Sequence, residues 1–293
     1  MNNLYEIIES HHLHPIAYRR KKSVYIIDTK NDSYVIKLNT SNYDIYKYLI
    51  SRGFNHFPKN YNYKNDNYDL SLFLENNMES NEQKLSDLLE IMALLHRKTS
   101  YKRILDLDEI KEIYEKLNAE IQNSKKYYLN INDEIEKKTF FSPSEYLLLR
   151  NISLIYFSLD KALKLLQEWY EMIIKEKNIR VCLLHNNVDL EHLIINENKY
   201  LISWDKASFD IPINDLVSFF KKYYKNINFP YVYQLYNKIN PLDEIEKKYL
   251  LINLSIPKIL TLSNDTYHDT MKINDEITFL NKVYELIEEK NNK

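Results

Sequence analysis

The polar residues that could do chemistry are concentrated in two short loops, and each loop follows an apolar run. These residues are His185, Asn187, Asp189 and His192 in the first loop, and Ser203 and Asp205 in the second. A carboxylate can accept a proton or bind a hard cation, whereas the amide side chain of Asn187 cannot accept a proton at neutral pH. Within this set of residues, Asp189 and Asp205 are the carboxylates.

The elements before these loops are predicted from the periodicity of apolar residues. Residues 24–27 and 34–38 are rich in β-branched and aromatic side chains and flank a polar turn, which predicts a hairpin. Residues 41–51 have helical spacing and end before Gly53, a typical helix stop. Residues 68–74 predict a further strand. The beginning of the chain therefore predicts the order strand, strand, helix, strand.

The rest of the chain is mainly helical in pattern. A capping box beginning at Ser142 starts a helical pattern that runs to about residue 177 and fits one long helix or two helices joined by a kink. The other predicted elements are helices over 81–95 and 108–124, strands over 181–184, 193–195 and 200–204, and helices from 215 onwards. The two polar loops thus lie next to short strands within a helical region.

Length and charge limit the classes of protein that fit. At 293 residues the chain exceeds the length of about 250 residues at which one hydrophobic core usually divides, so two lobes are expected. Its 40 basic and 42 acidic residues create no overall field that would attract nucleic acid or an anionic membrane. The sequence has no apolar run long enough to span a bilayer and no apolar leader, which predicts a cytoplasmic protein.

Two residue counts exclude further classes. Gly53 is the only glycine, and glycine-rich loops that hold phosphates need backbone conformations that side chains obstruct. A Walker loop, a dinucleotide fingerprint and a kinase glycine loop are therefore excluded in their usual forms. Cys182 is the only cysteine and lies in an apolar run, so an intrachain disulfide is impossible and a buried, inert thiol is predicted.

Several segments resemble the aminoglycoside phosphotransferase and spore coat kinase-like family. Residues 184–196, LHNNVDLEHLIIN, followed by YLISWD at 200–205, resemble that family's H-G-D-x-x-x-x-N and I-D-W/F-E/D motifs. DIPINDL at 210–216 and ALLH at 93–96 are similar to two further family segments, and residues 142–170 look like the long helical insertion of the spore coat subfamily. The resemblance implies an α+β, protein-kinase-like bilobal fold, with a β-rich N-lobe over 1–77 and a helical C-lobe over 78–293 that carries the hairpin segment 181–205.

The resemblance also places the family's site residues on this chain. Asn187 stands at the catalytic aspartate, His192 at the magnesium-binding asparagine and Ser203 at the main magnesium-binding aspartate. Because Mg²⁺ prefers carboxylate and other oxygen ligands, the imidazole and the neutral hydroxyl are poor replacements. We expect Asn187, His192 and Ser203 to line one cleft whose magnesium site is degenerate.

In the small lobe, Lys37 matches the family's phosphate-contacting lysine. The helix glutamate that accompanies it aligns near Asn42 or Asp44. The phosphate loop falls on residues 20–23, where Lys22 and Ser23 are the candidate phosphate contacts.

Outside the small lobe, His185 and Asp215 match residues with structural hydrogen-bonding roles. The sequence thus predicts an ATP site with weak or absent magnesium dependence.

Two functions remain open on these residues. The first is a catalytically impaired bacterial pseudokinase that acts as a binding or scaffolding module, with a protein partner in the spore coat or envelope as the subfamily implies. The second is an active ATP-dependent small-molecule phosphotransferase that uses the displaced carboxylates of Asp189 and Asp205. Each carboxylate lies two residues after a lost aspartate, and Asp205 is favoured because Ser203 and Asp205 would share one face of a strand.

Overall fold

The computed structural model describes residues 4–21, 24–64, 66–77, 79–263 and 265–291. Contacts divide the chain into two compact units, the first comprising Met1–Ser100 and Cys182–Asp210, the second Tyr101–Val181 and Ile211–Lys293. The predicted phosphate contacts Lys22 and Ser23 lie outside the described residues. The lobe boundary near residue 77 stays a prediction, because a unit defined by contacts need not coincide with a lobe.

A four-stranded antiparallel sheet in the order β1-β2-β3-β4 forms the first part of the first unit. Its elements are α1 (Leu4–Ser10), β1 (Ala17–Lys21), β2 (Val24–Asp28), β3 (Ser33–Leu38), α2 (Tyr43–Ser51) and β4 (Tyr68–Leu72). The predicted β2–β3 hairpin is confirmed, with Ile27 opposite Tyr34 and Val24 opposite Lys37. One face buries a cluster formed by Ile7, Ile8, Ile27, Ile36, Tyr68 and Leu70. This cluster fixes the strand register, because a slip of one residue would turn every apolar side chain to solvent.

The remaining elements of the first unit carry the two polar loops. They are α3 (Asn81–Thr99), the end of β6 (Asn178–Leu184), β7 (Leu193–Ile195), β8 (Lys199–Leu201) and β9 (Ser208–Asp210). Strands β7 and β8 form a tight antiparallel hairpin, and Cys182 of β6 pairs with Asp210 of β9. Cys182 is fully buried, as its apolar neighbours predicted.

The predicted strand over 200–204 is wrong at its end. Strand β8 stops at Leu201, Ser203 has φ 66° and ψ 59°, and Trp204–Lys206 form a 3-10 turn. A left-handed residue reverses the direction of the chain, so Ser203 and Asp205 do not alternate along a strand. Asp205 was favoured over Asp189 because Ser203 and Asp205 were expected to share one face of a strand. The two residues do not lie on a strand, so this expectation was wrong.

The second unit is built from long helices. Its elements are β5 (Tyr101–Ile104), α4 (Leu107–Glu136), α5 (Pro143–Glu176), the start of β6, α6 (Ile213–Tyr223), α7 (Phe229–Ile239), α8 (Glu244–Ser255) and α9 (Thr266–Asn291). The pattern over 142–177 forms one continuous helix, and its capping box is present, with Ser142 and Glu145 bonded reciprocally. Helix α4 extends twelve residues beyond the predicted end at 124. No helix of the described part of the chain is long and apolar enough to cross a membrane.

Gly53 ends α2 in the left-handed region, with φ 67°, and a Cβ there would meet only Lys98 Nζ at 3.7 Å. Replacement by alanine would therefore be strained by the backbone and not by a clash. We expect Gly53→Ala to lower the free energy of unfolding by about 1 kcal/mol. Gly53→Asn is the matched control and should lose less, because asparagine tolerates this conformation. Urea unfolding of the three proteins measures both values, and equal losses for alanine and asparagine would contradict the explanation.

Candidate functional site

A cavity of about 380 Å³ in the first unit is lined by the sheet and by both polar loops. Its apolar walls are formed by Val24, Ile26, Val35, Leu72, Phe73, Ile194 and Ile202. Its polar lining consists of Lys21, Lys37, Asp69, Ser71, Glu191, His192 and Ser203. An apolar pocket with a few convergent polar groups is the usual form of a small-molecule site.

Lys37 forms an ion pair with Asp205. The Lys37 Nζ lies 2.5 Å from Asp205 Oδ1, although 168 residues separate the two positions in the sequence. Strand β3 presents Lys37 to the cavity, and the left-handed turn at Ser203 directs the chain so that Asp205 reaches it. The two side chains are 23% and 36% exposed, so solvent screens the pair and its contribution to stability is modest. Its importance is that the predicted phosphate-binding lysine already has an anionic partner.

Asp69, which the sequence analysis missed, is a buried carboxylate directly opposite Lys37 in the β3–β4 pairing. Its oxygens accept hydrogen bonds from Asn42 Nδ2 at 3.0 Å, Tyr46 Oη at 3.2 Å and Asn60 Nδ2 at 2.7 Å. Burial raises the pKa of Asp69, and these hydrogen bonds and the charge of Lys37 offset only part of that increase. The sequence signal that could have identified Asp69 is the presence of an aspartate within an apolar strand. A carboxylate buried in such a strand needs hydrogen-bond partners, which indicates a polar site beside it.

Asn42 and Asp44, the two candidates for the position of the helix glutamate that accompanies Lys37, differ in burial. Asn42 is buried beside Asp69, whereas Asp44 on the first turn of α2 is exposed. Asn42 does not cap α2 with its side chain, because that side chain donates to Asp69. The carboxylate next to Lys37 in the sheet is therefore Asp69 on β4 and does not come from α2.

The first polar loop is held by its own hydrogen bonds. His192 Nδ1 donates to the Asn187 carbonyl oxygen at 3.0 Å, and Asp189 Oδ1 accepts the backbone N–H of Glu191 at 3.1 Å. Asp189 thereby caps the 3-10 turn Leu190–His192. His192 and Ser203 line the cavity, but Asn187 is not one of its lining residues and contacts His192 through its backbone carbonyl.

His185 and Asn186 connect the two polar loops through hydrogen bonds. The buried His185 ring bonds through Nε2 to the Ile202 carbonyl at 3.0 Å and packs edge-on against Trp204. Asn186 has φ 54°, and its side chain donates to Lys206 O and Ser208 Oγ. These bonds tie the first loop to the second. Asp215, in the second unit, is buried in the first turn of α6.

The described residues contain no group of three or more His, Cys, Asp or Glu side chains arranged to hold a metal ion. The imidazole of His192 and the hydroxyl of Ser203 both line the cavity. Neither group fits Mg²⁺ well, since that ion is usually bound by carboxylates, phosphates and water in octahedral geometry. Asp205 is the carboxylate nearest to Ser203 in sequence, and its Oδ1 is bonded to Lys37.

No family model and no curated protein sequence matches the chain. Solved structures do match it. An aminoglycoside phosphotransferase from Alicyclobacillus acidocaldarius aligns with a TM-score of 0.65 at 11% identity, over 94% of this chain and 94% of that chain. A spectinomycin phosphotransferase in its AMP-bound complex aligns with a TM-score of 0.51 at 14% identity, over 96% of this chain and 98% of that chain. The chain has the kinase-like fold of the aminoglycoside phosphotransferases.

This phosphotransferase fold confirms the α+β fold class and the likeness inferred from the loop motifs. A small antiparallel sheet occupies the N-terminal region, and helices dominate the C-terminal region. At 11% and 14% identity the likeness concerns the fold, because unrelated activities often share one fold. What the cavity does depends on the residues that line it.

The raised pKa of Asp69 predicts a change in stability with pH. A carboxyl group whose pKa is higher in the folded protein binds protons more tightly there, so stability falls as pH rises from its ordinary pKa, about 3.9, through the raised value. Asp69→Asn removes this titration. The unfolding free energy of the wild type minus that of Asp69→Asn should therefore decrease as the pH rises above about 4.

Urea unfolding at several pH values measures this difference. The exposed Asp44→Asn is the matched control for the loss of one carboxylate. A difference between wild type and Asp69→Asn that grows with pH would show that Asp69 is stabilised as an anion, contrary to this prediction.

Proposed function

We propose that this protein is a nucleotide-binding pseudokinase, a phosphotransferase-like chain that binds a nucleotide without needing magnesium and acts as a binding or scaffolding module. The observation that carries the proposal is the Lys37–Asp205 ion pair beside a cavity lined by His192 and Ser203. Asp205 is paired with Lys37, the lysine that would hold phosphates. His192 and Ser203 replace the oxygen ligands that would hold the metal.

The shape and lining of the cavity support a nucleotide as the ligand. Branched apolar side chains of β2, β3 and β7, represented by Val24, Val35 and Ile194, can sandwich a flat base. Lys21 and Lys37 line the same cavity and can attract phosphates as point charges. A nucleotide bound there would keep its base in the apolar part and its phosphates near the lysines.

The substituted loop residues support loss of transfer chemistry. Phosphoryl transfer depends on positioning and on charge stabilisation, both of which usually require the metal. Asn187 has no proton-accepting carboxylate, and the carboxylate of Asp189 is engaged in capping the 3-10 turn. The protein is therefore expected to bind nucleotide with little or no turnover.

Magnesium is expected to add little to nucleotide affinity. Thermal-shift titrations with ATP and ADP, with Mg²⁺ and with EDTA, should give midpoints that rise with nucleotide and differ little between the two conditions. The expected change in dissociation constant on adding Mg²⁺ is less than about threefold, under 1 kcal/mol. A strong Mg²⁺ requirement would contradict the proposal and would make Asp205 a working metal ligand.

The second candidate function is an active ATP-dependent phosphotransferase in which Asp205 holds the metal. The observation in its favour is that Asp205 lies within hydrogen-bond distance of Lys37, so its carboxylate is beside the expected phosphate position. The two candidates predict opposite effects of one substitution, Asp205→Asn.

In the pseudokinase, Asp205 competes with the nucleotide phosphates for Lys37. Asp205→Asn should then strengthen ATP binding by several-fold, and by no more than about tenfold, since the pair is partly exposed and screened. In an active phosphotransferase the same change would remove a metal ligand and weaken Mg²⁺-ATP binding. Isothermal titration calorimetry measures whether Asp205→Asn strengthens or weakens nucleotide binding and so distinguishes the two functions. Asp32→Asn, in the exposed β2–β3 turn, is the matched loss of one negative charge.

Restoring the family residues is not expected to produce a good kinase. The combined change Asn187→Asp, His192→Asn and Ser203→Asp supplies the acid and the metal ligands but leaves the chain without phosphate-loop glycines. Nucleotide binding should improve before turnover does. ATP hydrolysis and phosphate transfer to a panel of amines and hydroxylated compounds are the measurements. Wild-type turnover of about 1 per second or more would overturn the pseudokinase proposal.

The proposed module has a protein partner in the envelope of a bacterial spore. The support is the resemblance of residues 142–170 to the helical insertion of spore coat kinase-like proteins, a segment that forms α5 from Pro143. Localisation of a fluorescent fusion in sporulating cells tests this placement, and a signal confined to the cytoplasm of the mother cell and forespore would reject it.

A further inference from the structure

A second cavity of the first unit, about 560 Å³, lies along one face of α2. Tyr43, Lys47 and Ile50 are spaced at i, i+4 and i+7 on this helix and therefore share that face. The segment between α2 and β4 forms another wall through Phe57 and Lys59. Ile50 is 60% exposed, so the edge of this cavity presents a large apolar side chain to solvent.

The charge of this cavity is unbalanced. Lys47 and Lys59 are the charged residues among the described lining residues, and none of these lining residues is Asp or Glu. Within the described part of the chain, neither lysine forms an ion pair, and Lys59 Nζ lies 5.0 Å from the centre of the Tyr61 ring. Two lysines in a cavity whose described lining contains no carboxylate favour an anionic ligand.

The other lining residues favour an aromatic body for that ligand. Tyr43, Phe57 and Tyr200 offer ring faces and edges, and Pro58 offers a flat apolar surface. Aromatic pairs gain stability beyond that of simple burial when their rings are offset or edge-on. A flat ring among these side chains would place an attached anionic group near the lysines of the cavity.

We propose that the cavity lined by Lys47 and Lys59 is a binding site for a small aromatic anion, such as an aryl phosphate or an aryl carboxylate. The site adjoins the Lys37 cavity, and the proposal does not rest on nucleotide binding there. Tyr46, Pro58, Leu72 and Leu74 line both cavities, so a ligand in one contacts side chains that shape the other. The Tyr46 hydroxyl also donates to Asp69, which connects this wall to the polar residues around Lys37.

The test uses phenyl phosphate as the probe, with phenol and inorganic phosphate as its two halves. Isothermal titration calorimetry on the whole chain should show phenyl phosphate binding at least about tenfold more tightly than either half, because ring and charge act together. Phenol binding as tightly as phenyl phosphate would overturn the anionic part of the proposal. Inorganic phosphate binding as tightly would overturn the aromatic part.

Charge-removing variants locate the binding site. Lys47→Met and Lys59→Met should each weaken phenyl phosphate binding by about tenfold. Lys30→Met, an exposed lysine in the β2–β3 turn, is the matched control and should bind as the wild type does. Lys47 and Lys59 are exposed, so both variants should fold, and circular dichroism checks that they do.

Lys37→Met distinguishes this proposal from binding in the other cavity. If Lys37→Met weakens phenyl phosphate binding and the Lys47 and Lys59 variants do not, the probe occupies the Lys37 cavity and the proposal is wrong. If ATP binding fails in the wild type while the phenyl phosphate results are as expected, the nucleotide proposal falls and this one stands.

Discussion

The scarcity of glycine is the constraint on which both the fold and the candidate site depend. A left-handed backbone conformation costs a residue other than glycine about 1 to 2 kcal/mol. The only glycine ends α2, yet the described residues include five others with positive φ: His12, Asn39, Lys177, Asn186 and Ser203. At Asn186, side-chain hydrogen bonds to Lys206 and Ser208 hold the turn, so local bonding offsets part of the conformational cost. At this position an asparagine takes the conformation that glycine would adopt without strain, and it adds contacts that glycine could not make.

Two of these positions shape the chemistry of the site. Asn186 begins the loop that carries Asn187 and His192, and Ser203 begins the 3-10 turn that carries Asp205. The Ser203 hydroxyl is neutral and therefore a poor ligand for Mg²⁺. The left-handed backbone at Ser203 turns the chain so that Asp205 contacts Lys37. An ion pair made entirely of protein atoms thus lies beside the cavity, and the backbone turn at Ser203 is what brings its two members together.

Local signals made much of the fold predictable, and long-range contacts explain what was missed. The β2–β3 hairpin and the capping box at Ser142 follow from residue types at fixed offsets, and both were read correctly. Strand β1 was missed because all five of its residues are exposed, which leaves no apolar alternation to detect. The turn at Ser203 was missed because serine has no marked preference for a left-handed conformation. The role of Asp69 depends on the β3–β4 register, and the partner of Asp205 is 168 residues away, so neither is visible in a local pattern.

The burial of Cys182 gives the protein a natural reporter of its own opening. The thiol has no solvent exposure, and it is the only one in the chain, so a thiol-reactive reagent can modify the protein only when β6 becomes accessible. Labelling kinetics then measure the opening equilibrium around this strand when reclosing is faster than modification. Because β6 leads directly into the loop with His185 and Asn187, the modification rate also reports how firmly ligands hold that loop in place.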